Sequence, residues 1–174
     1  ARFVRITQTA GATGLPPLVV CHSMGGLVAQ AWLCAGADAP NRVHGIVTFG
    51  TPYGGTGLAR ADLLGLARQM RPGHAWLRVQ DEALPAACRL RFTCWYSLCD
   101  NIVFPAARAC LPGAQNRPAH ALAHVEMVFD PVLRRETLAM LEEESEAPTR
   151  GPGPTDAHES PPPKTGTGGW CTLN

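Results

Sequence analysis

A chain of 174 residues with 45% hydrophobic content and a formal net charge of +1 can build one modest core and little more. Its basic residues are scattered and never form a block interleaved with aromatics, so nucleic-acid recognition has no support. No apolar run approaches the ~20 residues that span a bilayer, so no transmembrane segment is expected, while contact with a membrane surface stays open.

Residues 1–16 begin with a short alternating piece, Phe3-Val4-Arg5-Ile6, and continue as a loop of Gly, Thr and Ala. Pro16-Pro17 ends that loop, and Leu18–Cys21 reads as a buried strand. Gly25 to about Ala37 reads as a helix whose small first turn allows close packing over a sheet. Val43–Phe49 is the next strand, and the segment 50–56 after it is too glycine-rich to continue either element. Strand, helix and strand at this spacing describe a parallel α/β unit.

Leu58 to about Ala87 carries a helical pattern broken near Pro72-Gly73. The stretch 57–90 is where a cap or lid over a site would be inserted. Its apolar residues Leu63, Leu64, Leu66, Met70, Trp76 and Leu77 read first as core packing rather than as contacts for an acyl chain. Arg91–Ser97 is a further strand, alternating Phe92, Cys94 and Tyr96 against Arg91, Thr93 and Trp95. Gln115–Leu122 supplies a last short strand, and Pro131–Glu144 a terminal helix with proline at its start. From Ser145 the composition turns to six prolines and five glycines without any period, the pattern of a flexible tail. The expected organisation is a domain over 1–144 and a tail over 145–174.

Seven cysteines contain no CxxC pair, and six histidines contain no HExxH. No metal and no cofactor is expected. The thiols read as reduced and structural, with a Cys88–Cys110 disulfide as the alternative.

The chemistry centres on Leu18-Val19-Val20-Cys21-His22-Ser23-Met24-Gly25-Gly26-Leu27-Val28. A serine between small residues, after an apolar strand and before a helix, is the pattern of a nucleophile on a strand-to-helix turn. Serine needs a histidine base, and the base needs an acid to fix its tautomer. On a parallel sheet the chain order is serine, acid, histidine, which Ser23, Asp100 and His124 satisfy, each just past a strand. Asp100 has a turn-forming reading beside Asn101, and Asp130 is explained by capping of the terminal helix. His120 and His22 compete with His124. His120 sits at the rim, and His22 beside the nucleophile lines or supports the pocket. The N–H of Met24 supplies one oxyanion donor. Twenty-two residues before Ser23 do not hold the earlier strands and the loop with the second donor, so the chain is expected to be the C-terminal part of a longer hydrolase.

With these pieces the chain resembles the bacterial α/β-hydrolase lipases and the inositol-deacylase-like (PGAP1-like) esterases. The resemblance rests on His22–Val28, on Val47-Thr48-Phe49-Gly50-Thr51-Pro52-Tyr53-Gly54-Gly55-Thr56, on Ser97-Leu98-Cys99-Asp100-Asn101-Ile102-Val103-Phe104-Pro105, and on Leu111–Asn116 leading to Ala123-His124-Val125-Glu126-Met127. It spans roughly residues 17–142, with Cys21 and Ala123 standing where the family often has glycine. It implies an α/β-hydrolase fold with a truncated, mostly parallel sheet flanked by helices. It also implies hydrolysis of lipid or acyl esters by Ser23, Asp100 and His124 without a cofactor, with Thr51, Pro52 and Tyr53 lining the acyl side of the pocket. Alternatives are a thioesterase, amidase or acyltransferase of the same fold, and an inactive fragment or binding module. A cytoplasmic location is favoured; export is left open because the native N-terminus is expected upstream of Ala1.

Overall fold

The computed structural model describes residues 16–36, 39–61 and 68–141. The alternating piece at 3–6, the 62–67 part of the helical stretch and the tail from 145 lie outside the described residues. Four strands form one sheet in the order β1 (Leu18–His22), β2 (Gly45–Phe49), β3 (Phe92–Ser97) and β4 (Gln115–Ala119). Every neighbouring pair is parallel, with Cys21 opposite Thr48, Phe49 opposite Trp95 and Ser97 opposite Ala119. Parallel pairing sends each connection back across the sheet. All four strands therefore end at the same edge, and the loops after them gather there.

Strands β1 to β3 are rich in apolar residues on both faces because both faces are covered, whereas β4 is polar and mostly exposed. On β2, Ile46 belongs to one core, while Val47 and Phe49 belong to the other. The first core is closed by α1 (Met24–Ala35) and α2 (Ala75–Ala83), whose Leu27, Ala29, Leu33 and Leu77 pack with Ile46, Phe92 and Cys94. Leu84 and Cys88, the latter on the short α3 (Ala86–Arg89), join the same core. Gln30 of α1 is buried and donates from Nε2 to the Gln80 carbonyl at 3.0 Å, tying the two helices together. The second core holds Val47, Phe49, Trp95 and Ala119 under Met127 of α4 (Glu126–Phe129) and Leu133 of α5 (Pro131–Ala139).

The helix ends have local causes. Asp130 Oδ1 accepts from the N–H groups of Val132 and Leu133, both at 2.9 Å, and Pro131 stands at the first position of α5, so capping does account for this aspartate. His74 caps α2 by accepting from the Trp76 N–H at 3.1 Å. The helical stretch expected over 58–87 is realised as single turns of 3₁₀ helix at Gly57–Ala61 and Arg68–Met70, then α2 and α3, separated at Pro85. Its part from 75 to 89 packs against α1 and contributes to the core. Strand β4 contains Pro118, which lacks a donor, and β4 pairs with β3 alone among the described residues. At the other margin, among the described residues, β1 pairs with β2 alone, and its Val20 is 54% exposed. Cys88 and Cys110 are both free thiols, as are Cys21, Cys34, Cys94 and Cys99.

Candidate active site

Ser23 follows β1 directly and precedes the first residue of α1. Its N–H still donates to the Phe49 carbonyl at 2.9 Å, extending the parallel ladder by one residue before the chain reverses. The reversal forces Ser23 to φ 53° and ψ −127°, the one positive φ at a non-glycine among the described residues. Such a backbone persists only where its surroundings hold it. Thr51, fully buried after β2, donates from Oγ1 to the Ser23 carbonyl at 2.8 Å. Gly26 makes that possible: a Cβ there would stand 2.2 Å from Thr51 Oγ1. On the strand side, Cys21 lies beside Gly25, whose added Cβ would meet Cys21 Cβ at an ordinary 3.7 Å, so a small side chain other than glycine is accepted two residues before the serine. Burial pushes the Cys21 thiol up to about 11, which keeps it protonated and inert at neutral pH.

Asp100 and His124 come from the loops after β3 and β4, and the structure brings them together. Nδ1 of His124 lies 2.9 Å from Oδ2 and 3.1 Å from Oδ1 of Asp100, with both residues buried. Asp100 Oδ1 also accepts from the N–H groups of Ile102 and Val103, each at 2.8 Å, so the carboxylate is held by its own loop as well as by the histidine. A carboxylate can only accept, so Nδ1 carries the proton and Nε2 keeps its lone pair. Gly50 sits against this pair. With φ 57°, it leaves the space where a Cβ would come within 2.9 Å of Asp100 Oδ2 and His124 Nδ1.

Two further groups hold the backbone of His124. Its N–H donates to Asn101 Oδ1 at 3.1 Å, and its carbonyl accepts from His22 Nε2 at 3.1 Å. The His22 and His124 rings are in contact, with centroids 4.6 Å apart. Burial lowers the His22 pKa from its usual value. His120 is exposed, and its backbone carbonyl accepts from Ser97 Oγ at 3.1 Å. Met24, the first residue of α1, is 50% exposed. Pro52 and Tyr53 are buried with Thr51, and the Tyr53 hydroxyl donates to Thr48 Oγ1 at 3.2 Å. Burial raises the Tyr53 pKa well above that of an ordinary tyrosine.

Asn101 and Gly50 take parts that the sequence reading did not give them. The only sequence signal for Asn101 is its place next to the acid after a strand. For Gly50 it is a glycine standing where a strand must turn beside two polar side chains.

The parallel sheet and the helices that flank it have a counterpart of known structure. The lipase BlEst2 of Bacillus licheniformis, in its mature form, superposes with a TM-score of 0.61 over 77% of this chain and 70% of the lipase, at 18% identity. The two chains share an α/β fold with a mostly parallel sheet flanked by helices. A family model of the PGAP1-like α/β domain matches residues 16–82, which include Ser23 and the Gly50–Thr56 loop and stop short of Asp100 and His124. A monoacylglycerol lipase of Paleococcus ferrophilus aligns over 79% of this chain and 71% of its own length, at 15% identity and a TM-score of 0.46. No curated protein matches the chain in sequence. No described helix is long and apolar enough to cross a membrane. Among the described residues no three His, Cys, Asp or Glu side chains are grouped to hold a metal.

Proposed function

We propose that the chain is a serine carboxylester hydrolase that acts on lipid or acyl esters through an acyl-enzyme. The observation that carries this reading is the buried Asp100–His124 pair, bonded at 2.9 Å, at the same sheet edge as a serine held at φ 53°. Ser23 is the nucleophile, His124 the base and Asp100 the residue that orients the base. With its Nδ1 proton engaged by Asp100, His124 takes the Ser23 Oγ proton on Nε2 as Oγ attacks the ester carbonyl. The imidazolium that forms is stabilised by the carboxylate and returns its proton to the leaving alcohol. Water, activated by the same Nε2, then releases the acid and restores Ser23.

The Met24 N–H, at the head of α1, faces no intrahelical carbonyl and is the donor available to the developing oxyanion. One such donor contributes about 2.7–4 kcal/mol of transition-state stabilisation in enzymes of this kind. Thr51, Pro52 and Tyr53, expected to line the acyl side of the pocket, are buried; Thr51 steadies the serine turn, and Tyr53 is anchored in the core. The apolar substrate class is favoured by Met24 and Val125, the chain neighbours of Ser23 and His124, which are 50% and 57% exposed. The 1–144 domain organisation fits this reading, with the catalytic residues all between 23 and 124.

The test is hydrolysis of p-nitrophenyl esters of two, four, eight and twelve carbons, with Ser23→Ala as control. Release of nitrophenol that the control lacks, and that prefers the longer chains, supports the proposal. Acyl transfer to an added alcohol in place of hydrolysis would reassign the reaction to an acyltransferase. Equal rates with Ser23→Ala would refute it.

A further inference from the structure

We propose that His22 is a positioning residue that ties the loop carrying His124 to the strand carrying Ser23. The inference rests on the reading of Ser23 and His124 as nucleophile and base. His22 is the last residue of β1, paired with Phe49 of β2, and its own position is therefore set by the strand ladder. From there its Nε2 reaches the His124 carbonyl at 3.1 Å, across 102 residues of chain. A carbonyl oxygen only accepts, so His22 carries its proton on Nε2. The two rings also touch, at 4.6 Å and an interplanar angle of 47°.

The peptide groups of the base are thus held from two sides. Asn101, from the loop after β3, takes the His124 N–H at 3.1 Å, and His22, from β1, supplies a donor to the His124 carbonyl at 3.1 Å. The Asn101 bond fixes the base relative to its acid, Asp100, which is the preceding residue. The His22 bond fixes the base relative to its nucleophile, Ser23, which is the following residue. Reacting groups misplaced by an ångström lose on the order of 100-fold in rate, so a tether between adjacent catalytic elements has a direct kinetic value. The residue type matters as well. Burial lowers the pKa of His22, so the ring donates its proton to the carbonyl while staying neutral. It adds no second positive charge beside the imidazolium that forms at His124, as a lysine or arginine would.

The test compares the wild-type chain with His22→Leu and His22→Gln, the glutamine amide having a donor at similar reach. Each is assayed for ester hydrolysis, for the labelling rate of Ser23 by a fluorophosphonate, and for its thermal midpoint. The tether predicts that His22→Leu loses roughly 10- to 100-fold in kcat and in labelling rate, with KM within about twofold and an unshifted midpoint. It predicts that His22→Gln recovers most of the rate. A His22→Leu variant at the wild-type rate, or a His22→Gln variant as slow as His22→Leu, overturns the proposal. Independently of activity, ¹⁵N spectra of the wild-type imidazoles must show His22 protonated on Nε2, and the Nδ1–H tautomer overturns the tether. Should His22→Leu not fold, that spectrum decides. A wild-type chain that fails to label at Ser23 removes the catalytic reading of the serine, while the spectrum still judges the tether.

Discussion

At Ser23 the backbone is held at φ 53° and the side chain is half-buried, whereas Asp100 and His124 have no positive φ and are 5% and 4% exposed. The serine is positioned by its main chain: the Phe49 carbonyl takes its N–H, and Thr51 donates to its carbonyl. Asp100 and His124 are joined by their side chains, His124 Nδ1 donating to a carboxylate that also takes the N–H groups of Ile102 and Val103, and the His124 peptide groups are held in addition by Asn101 and His22. In the proposed reaction the nucleophile must meet substrate, so its surroundings can grip only what lies behind it. An acid that orients a base need never meet substrate, so it can be buried and saturated with donors. The two constructions meet at Gly50, just past β2 and against Asp100 and His124, and at His22, the end of β1, which bonds the His124 carbonyl.

The sharpest break is Asp100→Asn. The amide can present a donor to Nδ1, which favours the tautomer with no lone pair on Nε2. Ester turnover should fall about 10⁴-fold, with the thermal midpoint much less affected. Steady-state kinetics together with a melting curve check this. Loss of folding in place of turnover would show that the buried carboxylate chiefly stabilises the loop.

Gly50→Ala tests the junction. Its backbone sits at φ 57°, where a side chain costs about 1–2 kcal/mol, and the new Cβ would press on both Asp100 Oδ2 and His124 Nδ1. Stability should drop by at least that amount, and turnover should drop further than stability accounts for, as read by denaturant unfolding alongside kcat. A variant that loses stability alone would separate Gly50 from the chemistry.

The smallest effect belongs to the strand side of the turn. Burial raises the Cys21 thiol from 9.0 to about 11, so the folded state holds its proton more tightly than the unfolded chain. The associated stability is fully present below pH 9 and is lost as the pH rises through 11, and amounts to about 3 kcal/mol at most. Denaturant midpoints at pH 8 and pH 11 should fall more for the wild-type chain than for Cys21→Ala. An identical fall in both would remove Cys21 from the alkaline transition.

The same contrast explains what could be read from the sequence. Strands β1 to β3 were legible because they are apolar on both faces, and their ends lie within two residues of expectation. Strand β4 stops at Ala119, short of the expected Leu122, because the chain turns there, with the Leu122 N–H donating to the His120 carbonyl at 2.6 Å. The helical pattern over 58–87 showed its break at Pro72-Gly73, where Gly73 takes φ 76°, but hid the one at Pro85. Ser23 announces itself locally, because strand, serine and helix are consecutive. Asp100 and His124 show only as residues in the right order after strands. The groups that hold them leave no local pattern: the His22 and Asn101 contacts with His124 span 102 and 23 residues. Composition likewise could not tell which way the Gly50–Thr56 loop faces. Thr51 and Tyr53 turn inward because their hydroxyls find Ser23 and Thr48 there.

The central claim is that the two constructions form one catalytic unit. Its most direct test is the reaction of the chain with a fluorophosphonate ester, with the adduct located by peptide mass spectrometry in the wild type, Ser23→Ala and His124→Ala. The account predicts a single adduct on Ser23 of the wild type and no adduct there in either variant. A folded wild-type chain that takes up no label, or that labels at Ser23 equally fast without His124, would contradict it.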